Sequence, residues 1–102
     1  MMTLGNATVS ACGAYVLLMD LCERIEIVGE VRARKAEVNE IEIAVVPHDL
    51  SKFLAHVKRE FTVILDNDME TVFLNRGAVI TVIKLKRENW GSLNAFNEKK
   101  AA

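Results

Sequence analysis

Glu40 and Glu42 stand two residues apart in the run Asn39-Glu40-Ile41-Glu42-Ile43-Ala44-Val45. Ile41, Ile43 and Val45 alternate with them, so the run predicts a strand with one apolar face. Residues two apart on a strand project to the same side, and two carboxylates so placed can converge on one hard cation in front of a sheet. The bland alternative is the solvated side of a half-exposed strand. Upstream lie Gly29 and the cations Arg32, Arg34 and Lys35. Those cations read either as a solvated connector, with Glu30 and Glu37 at hand to neutralise them, or as a clamp for phosphate.

The elements that must hold these groups are legible as patterns. Val9, Cys12 with Gly13, Val16 and Met19 recur at helical spacing between Asn6 and Glu23, with Leu17 and Leu21 widening the stripe. A core-packed helix capped by Asn6 or Thr8 is predicted there. Arg24 to Val28 alternates as a strand, ends at Gly29, and leads through the basic connector to the strand of Glu40 and Glu42, which Pro47 stops. Asp49 caps a second helix whose buried stripe is Leu50, Phe53, Leu54 and Val57, with Lys52, Lys58 and Arg59 toward water. Phe61 to Leu65, Thr71 to Leu74 and Val79 to Leu85 read as three strands. Turns at Asp66-Asn67-Asp68 and Asn75-Arg76-Gly77 make them an antiparallel meander, because connections this short cannot carry parallel crossovers. A short last helix is expected over 92–97, with Trp90 anchoring it to the sheet. The fold class is α/β (α+β): a two-layer mixed sheet with helices packed on one face.

The 102 residues make one domain, 1–102, with room for one core. A hydrophobic fraction of 51% and a charged fraction of 26% are those of an ordinary globular chain and exclude disorder. At a formal net charge of −1 there is no global field to draw the chain to nucleic acid or an anionic membrane, so nucleic-acid binding by this chain alone is not expected. The apolar run from Met1 to Met19 raises a signal peptide or membrane span. It has no Lys or Arg before Arg24 and is interrupted by Asn6, Thr8 and Ser10, and both readings are rejected. Cys12 and Cys22 share the first predicted helix, too far apart to bridge, and read as reduced buried thiols of a cytoplasmic protein, with an intermolecular disulfide as the alternative. His48 and His56 have no partner spacing for zinc and are expected at the surface.

Strand, glycine turn, arginines, then paired carboxylates on a strand: this order resembles the core motif of the nucleotidyltransferase superfamily, nearest to the palm of DNA polymerase beta-like (family X) enzymes and their small stand-alone phage and bacterial relatives. The family pattern is Gly-Ser, one or two Arg, a spacer, and Gly-Asp-x-Asp or Gly-Asp-x-Glu, with a third carboxylate on a later strand. Ile80 to Gly91, ending Glu88-Asn89-Trp90-Gly91, looks like that later segment, and counting back from Gly91 sets Thr81 at the third acid. The resemblance covers nearly the whole chain. It implies catalytic and Mg²⁺-binding roles for Glu40 and Glu42, and nucleotide or phosphate contacts for Gly29, Glu30, Arg32 and Arg34, with a nucleoside triphosphate as ligand.

Four positions depart from the pattern. Glu30 replaces the phosphate-holding Ser, Glu40 the first Asp, and Asn39 the preceding Gly, while Phe96-Asn97-Glu98-Lys99 stands where relatives carry an aromatic or Arg-Thr-Gly-Ser stretch. With Thr81 these lead to the expectation of a catalytically degenerate domain with at most weak nucleotide or metal binding. One alternative is an active Mg²⁺-dependent nucleotidyltransferase using Glu40 and Glu42. Another is a non-catalytic interaction module or homodimer, joined through an exposed sheet edge or the sheet face holding Val79 and Ile83.

Overall fold

A computed structural model describes residues 1–93. Its frame is a five-stranded sheet in the order β2-β4-β7-β6-β5, built from β2 (Cys22–Val28), β4 (Ile41–Pro47), β5 (Thr62–Asp66), β6 (Glu70–Asn75) and β7 (Ala78–Lys84). β2 runs antiparallel to β4, β4 parallel to β7, and β7, β6 and β5 form the antiparallel meander that the short turns require. The sheet is therefore mixed, as the pattern predicts. The parallel β4–β7 pair is possible because α3 (Leu50–Glu60) and the hairpin of β5 and β6 lie between its strands in sequence.

The turns form by local chemistry. Asn67 Oδ1 accepts from the backbone N–H groups of Met69 and Glu70 at 2.9 Å, closing the β5–β6 reversal. Arg76 and Gly77, both at positive φ (52° and 82°), make the two-residue turn between β6 and β7. Asp49 caps α3 as expected, its Oδ1 accepting from Lys52 N at 3.1 Å, and Phe53 and Val57 are buried. Leu50, expected in that stripe, is exposed.

α1 (Leu4–Leu18) departs from the sequence reading in three ways. It starts earlier, capped by Thr3, whose Oγ1 accepts from Asn6 N at 3.2 Å, and neither Asn6 nor Thr8 is the cap. It ends earlier, in a turn of 3₁₀ helix over Met19–Leu21, so that Cys22 opens β2 and does not lie in the helix. Its orientation is the reverse of the one expected. Ala7, Ala11, Ala14 and Leu18 face the sheet, whereas Val9 and Val16 are 74% and 64% exposed. Alanine has no side chain beyond Cβ, so this stripe lets the helix backbone approach a sheet already crowded with Ile25, Ile27, Ile41 and Ile43. Proximity wins over the larger hydrophobes.

The main core joins α1 and α3 to one sheet face through Ile43, Val45, Phe53, Val57, Phe73, Ile80 and Val82. A smaller cluster on the opposite face packs Val28 and Ala44 against Leu93, with Ile83, Leu85 and Trp90 around it. Trp90 belongs to a 3₁₀ helix, Arg87–Ser92, tied to β2 by Arg87 on Glu23 (2.9 and 2.6 Å) and by the Arg24 guanidinium, 5.8 Å from the Trp90 ring. Trp90 thus packs its own 3₁₀ segment against the sheet. Of the helix expected over 92–97, Ser92 ends this 3₁₀ helix and Leu93 joins the smaller cluster, while its remainder and the stretch Phe96 to Lys99 lie outside the described residues.

Candidate functional site

The strand order puts the candidate residues on two neighbouring strands. Ile41, Ile43 and Val45 of β4 point into the main core, so the alternate residues Glu42 and Ala44 belong to the other face. In register, Val28 of β2 lies on one side of Glu42 and Thr81 of β7 on the other. Strand β4 is buried on both faces, and Glu42 is only 7% exposed. The sequence reading had its carboxylate side open.

Gly29 explains the burial. It sits at φ +69°, the left-handed region that glycine reaches without steric cost, and turns the chain from β2 into the short helix α2 (Gly29–Arg32). A Cβ built on Gly29 would lie 2.6 Å from Glu42 Oε1 and 3.3 Å from its Cδ. The Glu42 carboxylate therefore lies directly against the turn. The close approach the resemblance assigns to phosphate is made here by a side chain of the protein itself.

Glu30 has a structural partner set. Its Oε1 accepts from the backbone N–H groups of Asn39 and Glu40, both at 2.9 Å. It thereby fixes the entry to β4, just after the two-residue strand β3 (Glu37–Val38), which pairs antiparallel with β1 (Met2–Thr3). Glu40 is exposed, its main chain held by this clip while Glu42 is drawn under Gly29. The two carboxylates are thus in different environments. Among the described residues, no three His, Cys, Asp or Glu side chains are grouped so as to hold a metal ion.

Arg32 Nη1 pairs with Glu26 Oε1 at 2.6 Å, and Glu26 shares the Glu42 face of the sheet. Glu37, weighed as a neutralising partner, is not the residue that takes it up. Glu26 went unassigned in the sequence, although its alternation with Ile25 and Ile27 already set it on that face. Arg34 is exposed at φ 59°, a conformation rare for a residue with a side chain. Arg32 and Arg34 line a groove of about 560 Å³ together with Leu4, Thr8, Ile27 and Val31, and neither Glu40 nor Glu42 contributes to its lining.

A second polar cluster was not legible at all. Lys84 Nζ, on a side chain 7% exposed, donates to Asp66 Oδ1 at 2.7 Å and to the Asn67 carbonyl, while Thr71 Oγ1 donates to the same Asp66 oxygen at 2.8 Å. The hydrogen bond from Lys84, then that from Thr71, holds the Asp66 carboxyl below its usual range. Arg87 does the same to Glu23. Burial pushes the Cys22 thiol up to about 11. His56 Nδ1 lies 3.1 Å from Arg59 Nη2, a contact within one helix.

No protein-family model and no curated protein matches the chain.

Proposed function

We propose that this chain is a nucleotidyltransferase-fold domain, similar in plan to the palm of DNA polymerase beta-like enzymes, in which the transfer step is lost and at most weak nucleotide or metal binding remains. The glycine elbow between β2 and α2, the arginines after it, and the paired carboxylates entering β4 support the scaffold half of the reading. The observation that carries the degenerate half is the register of Glu42 with Thr81. Nucleotidyl transfer needs carboxylates on neighbouring strands to neutralise a triphosphate through metal ions. Here the neighbour of Glu42 is a hydroxyl.

The donor set does not fit a pair of Mg²⁺ ions. Mg²⁺ demands near-octahedral oxygen geometry at about 2.0–2.1 Å. An exposed Glu40, a Glu42 pressed against Gly29 and a neutral Thr81 supply too few charged oxygens, and Glu30 is committed to the backbone of Asn39 and Glu40. On this reading Glu40 and Glu42 hold a divalent cation weakly, and Arg32 and Arg34 give a triphosphate only a surface contact.

Isothermal titration with Mg²⁺ or Mn²⁺ and each nucleoside triphosphate tests the proposal. Binding no tighter than about millimolar is expected, about 4 kcal/mol of free energy. Micromolar binding accompanied by release of pyrophosphate would overturn it in favour of an active enzyme, for which Glu42→Gln would abolish turnover.

A further inference from the structure

The parallel strands β4 and β7 are neighbours, and the chain leaves them toward opposite faces of the sheet. After Pro47 it turns onto the main-core face as α3, whereas after Lys84 it enters the 3₁₀ helix Arg87–Ser92, whose Trp90 packs in the cluster on the other face. Such a divergence opens a crevice beyond the carboxyl ends of the two strands, the place where open α/β sheets take their ligands. A groove of about 520 Å³ lies there, and small-molecule sites typically measure about 300–1,000 Å³. Its apolar lining includes Val46, Leu50, Met69 and Leu85. Leu50, which helical spacing assigns to the core stripe of α3, is 51% exposed and lines this groove instead.

The polar lining carries both signs of charge. Lys84 is committed to Asp66 and the Asn67 carbonyl, and Arg87 to Glu23. Lys86, in the link after β7, and Asp68, in the β5–β6 turn, line the same groove and are exposed. Neither makes an ion pair with the other or with any other of the described residues. The N-terminus of α3 is already occupied, because Asp49 Oδ1 accepts from Lys52 N. The charges the groove offers to a ligand are therefore one ammonium and one carboxylate.

We propose that this groove binds a small zwitterion with an apolar body, of amino-acid or dipeptide size, its ammonium on Asp68, its carboxylate on Lys86 and its aliphatic part on Leu50, Met69 and Leu85. Charge complementarity selects this class. An anion gains Lys86 but faces Asp68, and a cation gains Asp68 but faces Lys86, whereas a ligand carrying both charges is matched at each end. Exposed ion pairs are individually weak, so burial of the aliphatic part supplies much of the affinity. Glu40, Glu42, Arg32 and Arg34 contribute nothing to the lining, and the inference stands independently of the proposed function.

Isothermal titration of the full chain with L-leucine and with leucyl-leucine tests it. The tighter of the two, which sets the size of the ligand, is expected to bind with a Kd below about 1 mM. Isocaproate, which is leucine without its ammonium, and isoamylamine, which is leucine without its carboxylate, are expected to bind about tenfold more weakly or worse. Asp68→Asn should weaken the zwitterion by about tenfold and leave isocaproate bound no less well, while Lys86→Gln should weaken the zwitterion similarly and leave isoamylamine bound no less well. Both positions are exposed, so each variant should keep the wild-type urea midpoint. Absence of binding by either zwitterion at about 10 mM overturns the proposal. So does a zwitterion affinity indifferent to both substitutions, or isocaproate binding as tightly as the zwitterion.

Discussion

Replacing Gly29 with alanine tests the turn that buries Glu42. Two costs add. An L-residue held in the left-handed region loses about 1–2 kcal/mol. The new methyl would also lie 2.6 Å from Glu42 Oε1, and the carboxylate, 7% exposed on a strand buried on both faces, must be displaced to make room. Overpacking of this kind costs about 1–3 kcal/mol. A total of about 2–5 kcal/mol is expected from a domain whose whole stability is of order 5–15 kcal/mol. In urea, at a slope of about 2 kcal/mol per molar, the midpoint falls by about 1–2.5 M at unchanged slope. Repeating the change in a Glu42→Ser background separates the two costs. The contact part should vanish there, leaving about 1–2 kcal/mol for the backbone. A loss below about 0.5 kcal/mol in the wild-type background, or an equal loss in both backgrounds, would refute the reasoning.

Glu30→Ala releases the backbone N–H groups of Asn39 and Glu40 and is expected to cost about 1–3 kcal/mol in urea unfolding, with Glu30→Gln costing less because an acceptor oxygen remains. The Asp66 carboxyl is held below its usual range in the fold, so its contribution is complete above the ordinary aspartate value of about 3.9 and is lost as pH falls through the lower folded value. Urea midpoints measured from pH 5 down to about pH 2 should therefore fall less steeply in Asp66→Asn than in the wild type. A slope unchanged by that substitution would show that Lys84 and Thr71 do not stabilise the ionised form. Thiol titration at pH 8 should find one rapidly reacting cysteine per native chain and two after unfolding, because Cys12 is exposed while Cys22 is buried with its thiol pushed up to about 11. Rapid labelling of both in the native protein would contradict the placement of Cys22 at the start of β2.

The sheet was largely legible because its signals are local. The β-branched run Val79 to Leu85, the Asn75-Arg76-Gly77 turn and the Asp49 cap each act within a few residues, and the strands and helix they predict are present with boundaries shifted by about one residue. The orientation of α1 was not legible, because hydropathy ranks Val9 and Val16 above Ala7 and Ala11 while packing distance ranks them the other way. The site was half legible. Alternation alone placed Glu42 and Thr81 on strands, but that these strands are neighbours, with Thr81 in register with Glu42, depends on the strand order. The partners of Glu30, Arg32 and Asp66 depend on which atoms the tertiary fold brings within 3 Å, and neither spacing nor charge pattern carries that information. Glu30 is the clearest case: a carboxylate set where phosphate was expected holds two backbone N–H groups of its own chain.

The most direct test of the functional proposal is incorporation of a labelled nucleoside triphosphate by the wild-type chain with Mg²⁺ or Mn²⁺, run beside Glu42→Gln and Thr81→Asp. The account predicts no incorporation by the wild type or by Glu42→Gln, and tighter Mn²⁺ binding in Thr81→Asp, where a carboxylate joins Glu42 in register. Sustained incorporation by the wild type that is lost in Glu42→Gln would contradict it.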